Sequence, residues 1–160
     1  MNKAKTDRTD RMITKAGYAE LQAQIKELEG PARIEVAARI KEARDFGDIS
    51  ENAEYEAAKN DQAMLETRIA QLRQRLARAE IVDTRRRSTT VGVGSKVRFK
   101  DKHGEHDMQI VGHGEADIAG GKMSAASPIG TALLGAKAGE EIKVKMPNGS
   151  SRKVTILKVS

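Results

Sequence analysis

Two runs of residues recurring at alternating steps of three and four constrain this chain more than any other feature. In the second run Ala58, Gln62, Leu65, Ile69, Leu72, Leu76 and Ala79 are spaced 4, 3, 4, 3, 4 and 3. That is a heptad seam, which a helix buries by packing on another helix. In the first run Thr14 is a candidate N-cap preceded by Ile13, and Tyr18, Leu21, Ile25, Leu28 and Ala32 follow at helical steps. Pro31 deletes one helical hydrogen bond and should kink this run, and the seam resumes after one shifted step at Val36, Ile40 and Ala43. Gly47 stops it. The connection between the runs is short enough only for antiparallel neighbours. Residues 13–82 are therefore expected to form an antiparallel coiled-coil hairpin. Its arms, 14–45 and 50–82, would each be roughly 45–50 Å long at about 1.5 Å per residue. A rod of this kind would hold its tip, residues 45–52, far from any globular core, as a probe.

Turn signals are scarce in the first ninety residues and concentrated in the last seventy, so a second domain is expected over 91–160, after a polar linker at 83–90. Val97 to Lys100 and Met108 to Val111 have strand character about a His103-Gly104 turn. Ile142, Val144 and Met146 alternate before the Pro147-Asn148-Gly149 turn, and Arg152 to Val159 closes a second hairpin. Ser127, Pro128, an apolar run and Gly135 mark the cap, first residue and end of one short helix. The fold class is thus α+β, a helical hairpin followed by a small β-rich domain. Residues 1–12 are polar, lack the apolar core of a signal peptide, and are expected to be a flexible tail.

The chain has 160 residues, no Cys and no Trp, and 2% aromatic residues. Disulfides, thiol nucleophiles and thiolate metal sites are excluded, and there is little from which to build a base-stacking platform. No apolar stretch approaches the roughly 20 residues of a membrane span, so a cytoplasmic chain with no membrane partner is expected. The net charge of +6 suggests an anionic partner, but the charge is segmented. Residues 45–56 carry five acids and no Lys or Arg; residues 57–90 carry eight basic and four acidic residues, and residues 91–160 eleven and seven. An acidic island at the hairpin tip would repel phosphate, and a generic nucleic-acid binder has no use for it.

Asp48 and Glu51, three apart in that island, have a structural explanation as a capping-box-like pair at the start of the second helix. They also have a chemical one. The same spacing sets two carboxylates on one face, and Mg²⁺ takes one or two carboxylates and completes its shell with water and phosphate oxygens. An exposed tip supplies neither the phosphates nor a dry site. It makes sense as half of a site, inserted into a partner that already holds nucleic acid and another metal.

The stretch ARDFGDISENAEYEAAKNDQ, residues 43–62, closely resembles the coiled-coil tip of the bacterial Gre family of transcription elongation (transcript cleavage) factors. MITKAGYAELQAQIKEL, residues 12–28, is similar to their first helix, and EADIAGGKMSAASPIGTALLGAKAGEEIKVKMPNG, residues 115–149, resembles the core of their C-terminal FKBP-like domain. This resemblance implies a hairpin that enters the secondary channel of a backtracked bacterial RNA polymerase and stimulates the polymerase's own cleavage of the RNA. It implies an accessory factor, not a complete enzyme, and we expect it to act as a monomer. Asp48 and Glu51 would be the metal-assisting carboxylates, holding Mg²⁺ jointly with the polymerase. Asn52 and Tyr55 match neighbouring tip positions, where they would orient the carboxylates or touch the nascent RNA 3′ end; alternatively Asn52 bonds local backbone and Tyr55 packs on the first helix. Arg39, Lys41, Arg44 and Lys59 are candidate contacts to extruded RNA, or solvated charges of a helix face. Ser127 and Pro128 resemble the polymerase-docking segment, with Ala126 where family members often have Asn or Asp, and they also serve as helix cap and first turn. The triple Arg85, Arg86 and Arg87 suits a solvated or polymerase-facing patch.

Three alternatives remain open on sequence grounds: an inhibitory paralogue that occupies the channel without promoting cleavage, a basic nucleic-acid-binding coiled coil, and a prolyl isomerase carried by 91–160. The intact Asp48-Glu51 pair disfavours the first, the acidic tip the second, and the scarcity of aromatics the third. His103, His106 and His113 match no common zinc spacing. Gly112, Gly114, Gly120 and Gly121 make no phosphate loop, since no strand-to-helix transition with a Lys follows.

Overall fold

The computed structural model describes residues 3–47, 52–84 and 88–160. The chain divides into two compact units, one of residues Ala19–Arg78 and one formed by Met1–Tyr18 together with Ala79–Ser160. Residues 13–18 and 79–82, placed with the hairpin on sequence grounds, thus group with the β-rich unit.

The helical unit is an antiparallel pair. Helix α2 (Lys15–Glu27) passes through a π-helical segment, Leu28–Ala32, into α3 (Arg33–Asp45), and α4 (Ala53–Arg78) returns. Its 26 residues make α4 about 39 Å long, shorter than the expected arm. All of the seam residues are buried or half-buried, with Leu21, Ile25, Ile40, Ala43, Ala58, Ile69 and Leu72 innermost. The π-helical segment explains the shifted step. From Leu28 to Ile40 the seam takes three successive steps of four, one residue more than heptad alternation allows. A π turn holds about one residue more than an α turn, so it absorbs the surplus and returns the apolar stripe to the partner helix. Pro31 sits inside this segment, where its missing N–H does least harm. Across the pair, Arg33 makes a two-pronged bond to Glu66 at 2.7 Å on each arm, Arg39 meets Asp61 at 2.7 Å, and Arg73 meets Glu29.

The β-rich unit is a mixed five-stranded sheet in the order β5-β4-β3-β7-β6, with β3 Lys96–Asp101, β4 Gly104–Val111, β5 Lys122–Ser124, β6 Glu141–Lys145 and β7 Ser151–Val159. Within this sheet only β4 and β5 pair in parallel. Alternation in β3 puts Val97 and Phe99 into the core while Lys96, Arg98 and Lys100 face out. With Ile110, Leu133, Val144, Val154 and Ile156 they form one apolar cluster, which helix α5 (Pro128–Leu133) closes through Leu133. This is the α+β arrangement expected, a helical hairpin and a β-rich half-barrel.

Several local features differ from expectation. Residues Lys3–Arg11 of the polar tail form a helix, α1, whose Arg11 lies 3.5 Å from Glu80. Met12–Ile13 (β1) and Glu80–Ile81 (β2) pair in parallel, which no alternation pattern of two residues can announce. Strand β4 begins at Gly104, earlier than the expected Met108, and so takes in His106. That residue is paired with Phe99, and its Nε2 lies 3.0 Å from the carboxylate of buried Asp101. The Thr14 cap is present, with Gly17 N–H donating to Thr14 Oγ1 at 3.0 Å. It is held in turn by Glu115, whose carboxylate accepts from the Thr14 hydroxyl, from Thr14 N–H at 3.1 Å and from Gly112 N–H at 2.9 Å. Among the described residues no helix is long and apolar enough to cross a membrane.

Candidate functional site at the tip of the hairpin

The tip is bounded by two stop signals. Gly47, at φ 104°, takes a conformation that a side chain strongly disfavours and ends the α3 run; its N–H bonds back to the Arg44 carbonyl at 3.2 Å. Asn52 begins the return. Its Oδ1 accepts from the N–H groups of Glu54 at 3.0 Å and Tyr55 at 3.2 Å, which makes it the N-cap of α4. Its Nδ2 donates to the Ala43 carbonyl at 2.7 Å, a carbonyl in the last turn of α3 that has no helical partner. One side chain therefore satisfies orphaned groups of both arms.

Asp48 and Glu51 lie outside the described residues, in the segment that Gly47 and Asn52 enclose. The capping-box reading of that pair lies outside the described residues as well; α4 as described begins at Ala53, with Asn52 as its cap. Glu54 and Glu56 occupy the first turn of α4 and, with exposed Asp45, extend the acidic character onto both flanks. The helix N-terminus favours such charges.

The other expected site residues are distributed as follows. Tyr55 is half-buried one turn into α4. Arg39 is engaged by Asp61, and Lys59 donates to Gln62 at 3.0 Å, both on exposed surface where such contacts exchange readily. Lys41 and Arg44 are exposed on α3. Arg85, Arg86 and Arg87 lie outside the described residues. Ser127 caps α5: its hydroxyl donates to the Ser124 carbonyl at 2.7 Å and accepts from Gly130 N–H at 3.0 Å, with Pro128 as the first helical residue. Gly130 is required there, since a Cβ would stand 2.1 Å from the Ser124 carbonyl oxygen. Pro128 and Ala126 are exposed beside this cap.

Phe46 was not singled out by sequence pattern. It stands at the C-cap of α3 with 73% of its surface exposed. The signal available was a large apolar side chain one position short of the next seam step after Ala43, a step that falls on Gly47.

Among the described residues no group of three or more His, Asp or Glu side chains is placed to hold a metal. The Asn52 carboxamide is committed to backbone on both of its atoms, so its oxygen is not a free donor for a metal. Two carboxylates with water and phosphate oxygens suit Mg²⁺ and do not form a closed site by themselves.

A family model described as "Transcription elongation factor, N-terminal" matches residues 11–81, and one described as "Transcription elongation factor, GreA/GreB, C-term" matches residues 86–160. The chain is 43% identical over 142 residues to the transcription elongation factor GreA of Thermotoga petrophila, spanning 88% of this chain and 91% of that protein. It is 46% identical over 141 residues to that of Rhodospirillum rubrum, spanning 86% and 90%. A solved structure of GreA factor homolog 1 from Thermus thermophilus is 30% identical, covers 94% of this chain and 99% of its own, and superposes with a TM-score of 0.43. Matched in both halves by the family and by relatives over most of its length, this chain belongs to the GreA/GreB transcription elongation factors.

Proposed function

We propose that the protein is a cytoplasmic accessory factor that inserts its hairpin into the secondary channel of bacterial RNA polymerase and stimulates hydrolysis of backtracked RNA, rescuing arrested complexes. The observation that carries this reading is the tip: a Gly47 stop and an Asn52 cap bracket Asp48 and Glu51 at the turn of a two-helix hairpin in a Gre family chain. Asp48 and Glu51 hold Mg²⁺ jointly with the polymerase, where the ion supplies charge stabilisation for phosphodiester hydrolysis. Asn52 acts through geometry. By tying the two arms together it fixes the ends of the acid-bearing segment, the kind of preorganisation that hydrolysis at a shared site needs. Phe46 offers apolar surface beside the acids, and Tyr55 supports the first turn of α4. Lys41 and Arg44 contact extruded RNA phosphates, joined by Arg39 and Lys59 when they exchange their present partners. Ser127 and Pro128 present the docking edge of the β-rich unit, and the protein acts as a monomer.

The test is RNA cleavage in a stalled, backtracked polymerase complex with and without the protein. Asp48→Asn and Glu51→Gln keep side-chain shape and remove the charge, so each should bind polymerase as the parent protein does while stimulation falls by about a hundredfold or more, the worth of a lost transition-state metal contact. Partial recovery at high Mg²⁺ is expected. Equal loss of binding and stimulation would assign these residues to tip folding, and hydrolysis of free RNA by the isolated protein would overturn the accessory role.

A further inference from the structure

The outward face of the sheet carries a feature that the tip chemistry does not use. A groove of about 490 Å³ runs across β5, β4, β3 and β7, lined by Lys96, Arg98, Lys122 and Lys158, with Asp107 as the one acidic side chain among its lining residues. Strand register puts these charges side by side. Lys96 pairs with Gln109, which pairs with Lys122, while Arg98 is flanked by Asp107 on one side and Lys158 on the other. Asp107 is held by Arg98 in a two-pronged bond of 2.8 and 2.9 Å, which neutralises one cation, while Lys96, Lys122 and Lys158 form no ion pair among the described residues. The Asp107 carboxyl is kept below the ordinary carboxylate range by the Arg98 hydrogen bond, with Lys158 adding to the effect.

We propose that this groove is a docking surface for the phosphate backbone of duplex DNA. Three observations select that partner. Lysine is depleted from the centre of protein interfaces, and the apolar side chains lining the groove, Val97 and Met108, are buried or half-buried, so an acidic protein would find charge without an apolar anchor. No aromatic side chain lines the groove, so a single strand would find no platform for its bases, whereas a duplex stacks its own bases and presents phosphate. The charges also spread over four adjacent strands, about 14 Å at roughly 4.8 Å per strand, enough to meet more than one phosphate. Binding of this kind is independent of sequence and strongly dependent on salt. It stands apart from the tip: neither Asp48 nor Glu51 takes part.

The experiment uses the full chain and a fluorescent 20-base-pair DNA of mixed sequence, read by anisotropy at 50 and 200 mM salt. With three phosphates neutralised, affinity should fall about 40-fold between the two salts. Lys96→Gln, Lys122→Gln and Lys158→Gln together should weaken binding by about tenfold or more at the lower salt and reduce the salt slope by about one per lysine. The control triple Lys15→Gln, Lys26→Gln and Lys137→Gln removes the same charge elsewhere and should stay within about twofold of the parent protein. Circular dichroism on both triples checks that the fold is intact, and single Lys→Gln variants replace a triple that is not folded. The proposal is overturned if duplex DNA does not bind at 50 mM salt, if the two triples weaken it equally, or if the groove triple weakens single-stranded RNA or poly-glutamate more than duplex DNA.

Discussion

The hairpin and the β-rich unit solve the burial problem in different ways. The hairpin has a one-dimensional seam: each buried residue, such as Ile40 or Ile69, is backed only by the facing helix, and neighbouring layers are joined by exposed pairs such as Arg33 with Glu66. The β-rich unit has a three-dimensional cluster in which Phe99, Ile110, Leu133, Val154 and Ile156 are at most 2% exposed and are enclosed by sheet and helix. A seam tolerates a change in one layer because the layers beyond it are little affected, and it can carry a tip whose sequence is free to serve chemistry. A closed cluster has no such freedom. It suits a unit that must hold a surface, whether the Ser127 edge or the cationic sheet face, in fixed register.

The largest effect expected on stability tests that contrast directly. Leu133→Ala in the closed cluster should cost roughly 3–5 kcal/mol, because the surrounding strands cannot collapse into the cavity. Ile69→Ala on the seam should cost about 2 kcal/mol, at the low end for a buried aliphatic, because two helices can close on a lost side chain. Urea unfolding followed by amide exchange within β3 and β7 for the first variant, and within α4 for the second, separates the units. Equal costs would show that the seam is packed as rigidly as the cluster.

The second prediction concerns the one place where the seam has to end. Asn52→Ala removes an N-cap and strands the Ala43 carbonyl, so the hairpin should lose about 1–2 kcal/mol. Asn52→Asp keeps the cap acceptor but loses the donor to Ala43, and should recover about half of that. Because Asn52 joins the arms on either side of Asp48 and Glu51, both variants should lower stimulated cleavage more than they lower polymerase binding. A full recovery by Asn52→Asp in stability and cleavage would mean that the bond to Ala43 contributes nothing.

Much of this contrast was legible in the sequence. The seam was, because burial in a two-helix pair depends on spacing alone, and even the π-helical segment left a trace as the shifted step after Leu28. Thr14 and Ser127 were legible as caps because a cap is local. Asn52 was legible as a residue that bonds local backbone but not as the cap, since Asp48 with Glu51 three residues later satisfies the same rule, and only the backbone shows where α4 as described starts. The Glu115 clamp on Thr14 joins residues 101 apart, beyond any local rule. β1, β2 and β5 are too short to alternate. The cationic groove required the register of four strands, so Lys96, Lys122 and Lys158 remained three unrelated lysines. Asp48 and Glu51 stand out as candidate metal-assisting residues only through the resemblance of residues 43–62 to the family, since their spacing fits a capping pair equally well.

The smallest effect sharpens the comparison through acid. Asp101 in the β-rich unit and Glu66 in the hairpin both have carboxyls below their ordinary range, for different reasons. Burial by itself pushes the Asp101 carboxyl up, but the His103 N–H, His106 and the Arg152 guanidinium 3.2 Å away outweigh it. Glu66 is lowered by its exposed hydrogen bonds to Arg33, against a smaller effect of burial. Both shifts have the same sign: a depressed carboxyl contributes stability that is present above its unfolded value, about 4, and is lost as pH falls through the folded value below it. The Asp101 contribution is shielded from solvent, with 1% of its side chain exposed, and should survive high salt; the Glu66 pair is open to water and should be screened. Urea midpoints from pH 5 to pH 2 should therefore fall less steeply for Asp101→Asn than for the parent protein, with the variant less stable at pH 5 and the two converging in acid. Glu66→Gln should leave the slope nearly unchanged, and at 1 M salt the difference from the parent should vanish. A Glu66→Gln variant that flattened the acid slope as much as Asp101→Asn would show that the exposed straps of the seam hold the hairpin as firmly as a buried carboxylate holds the sheet.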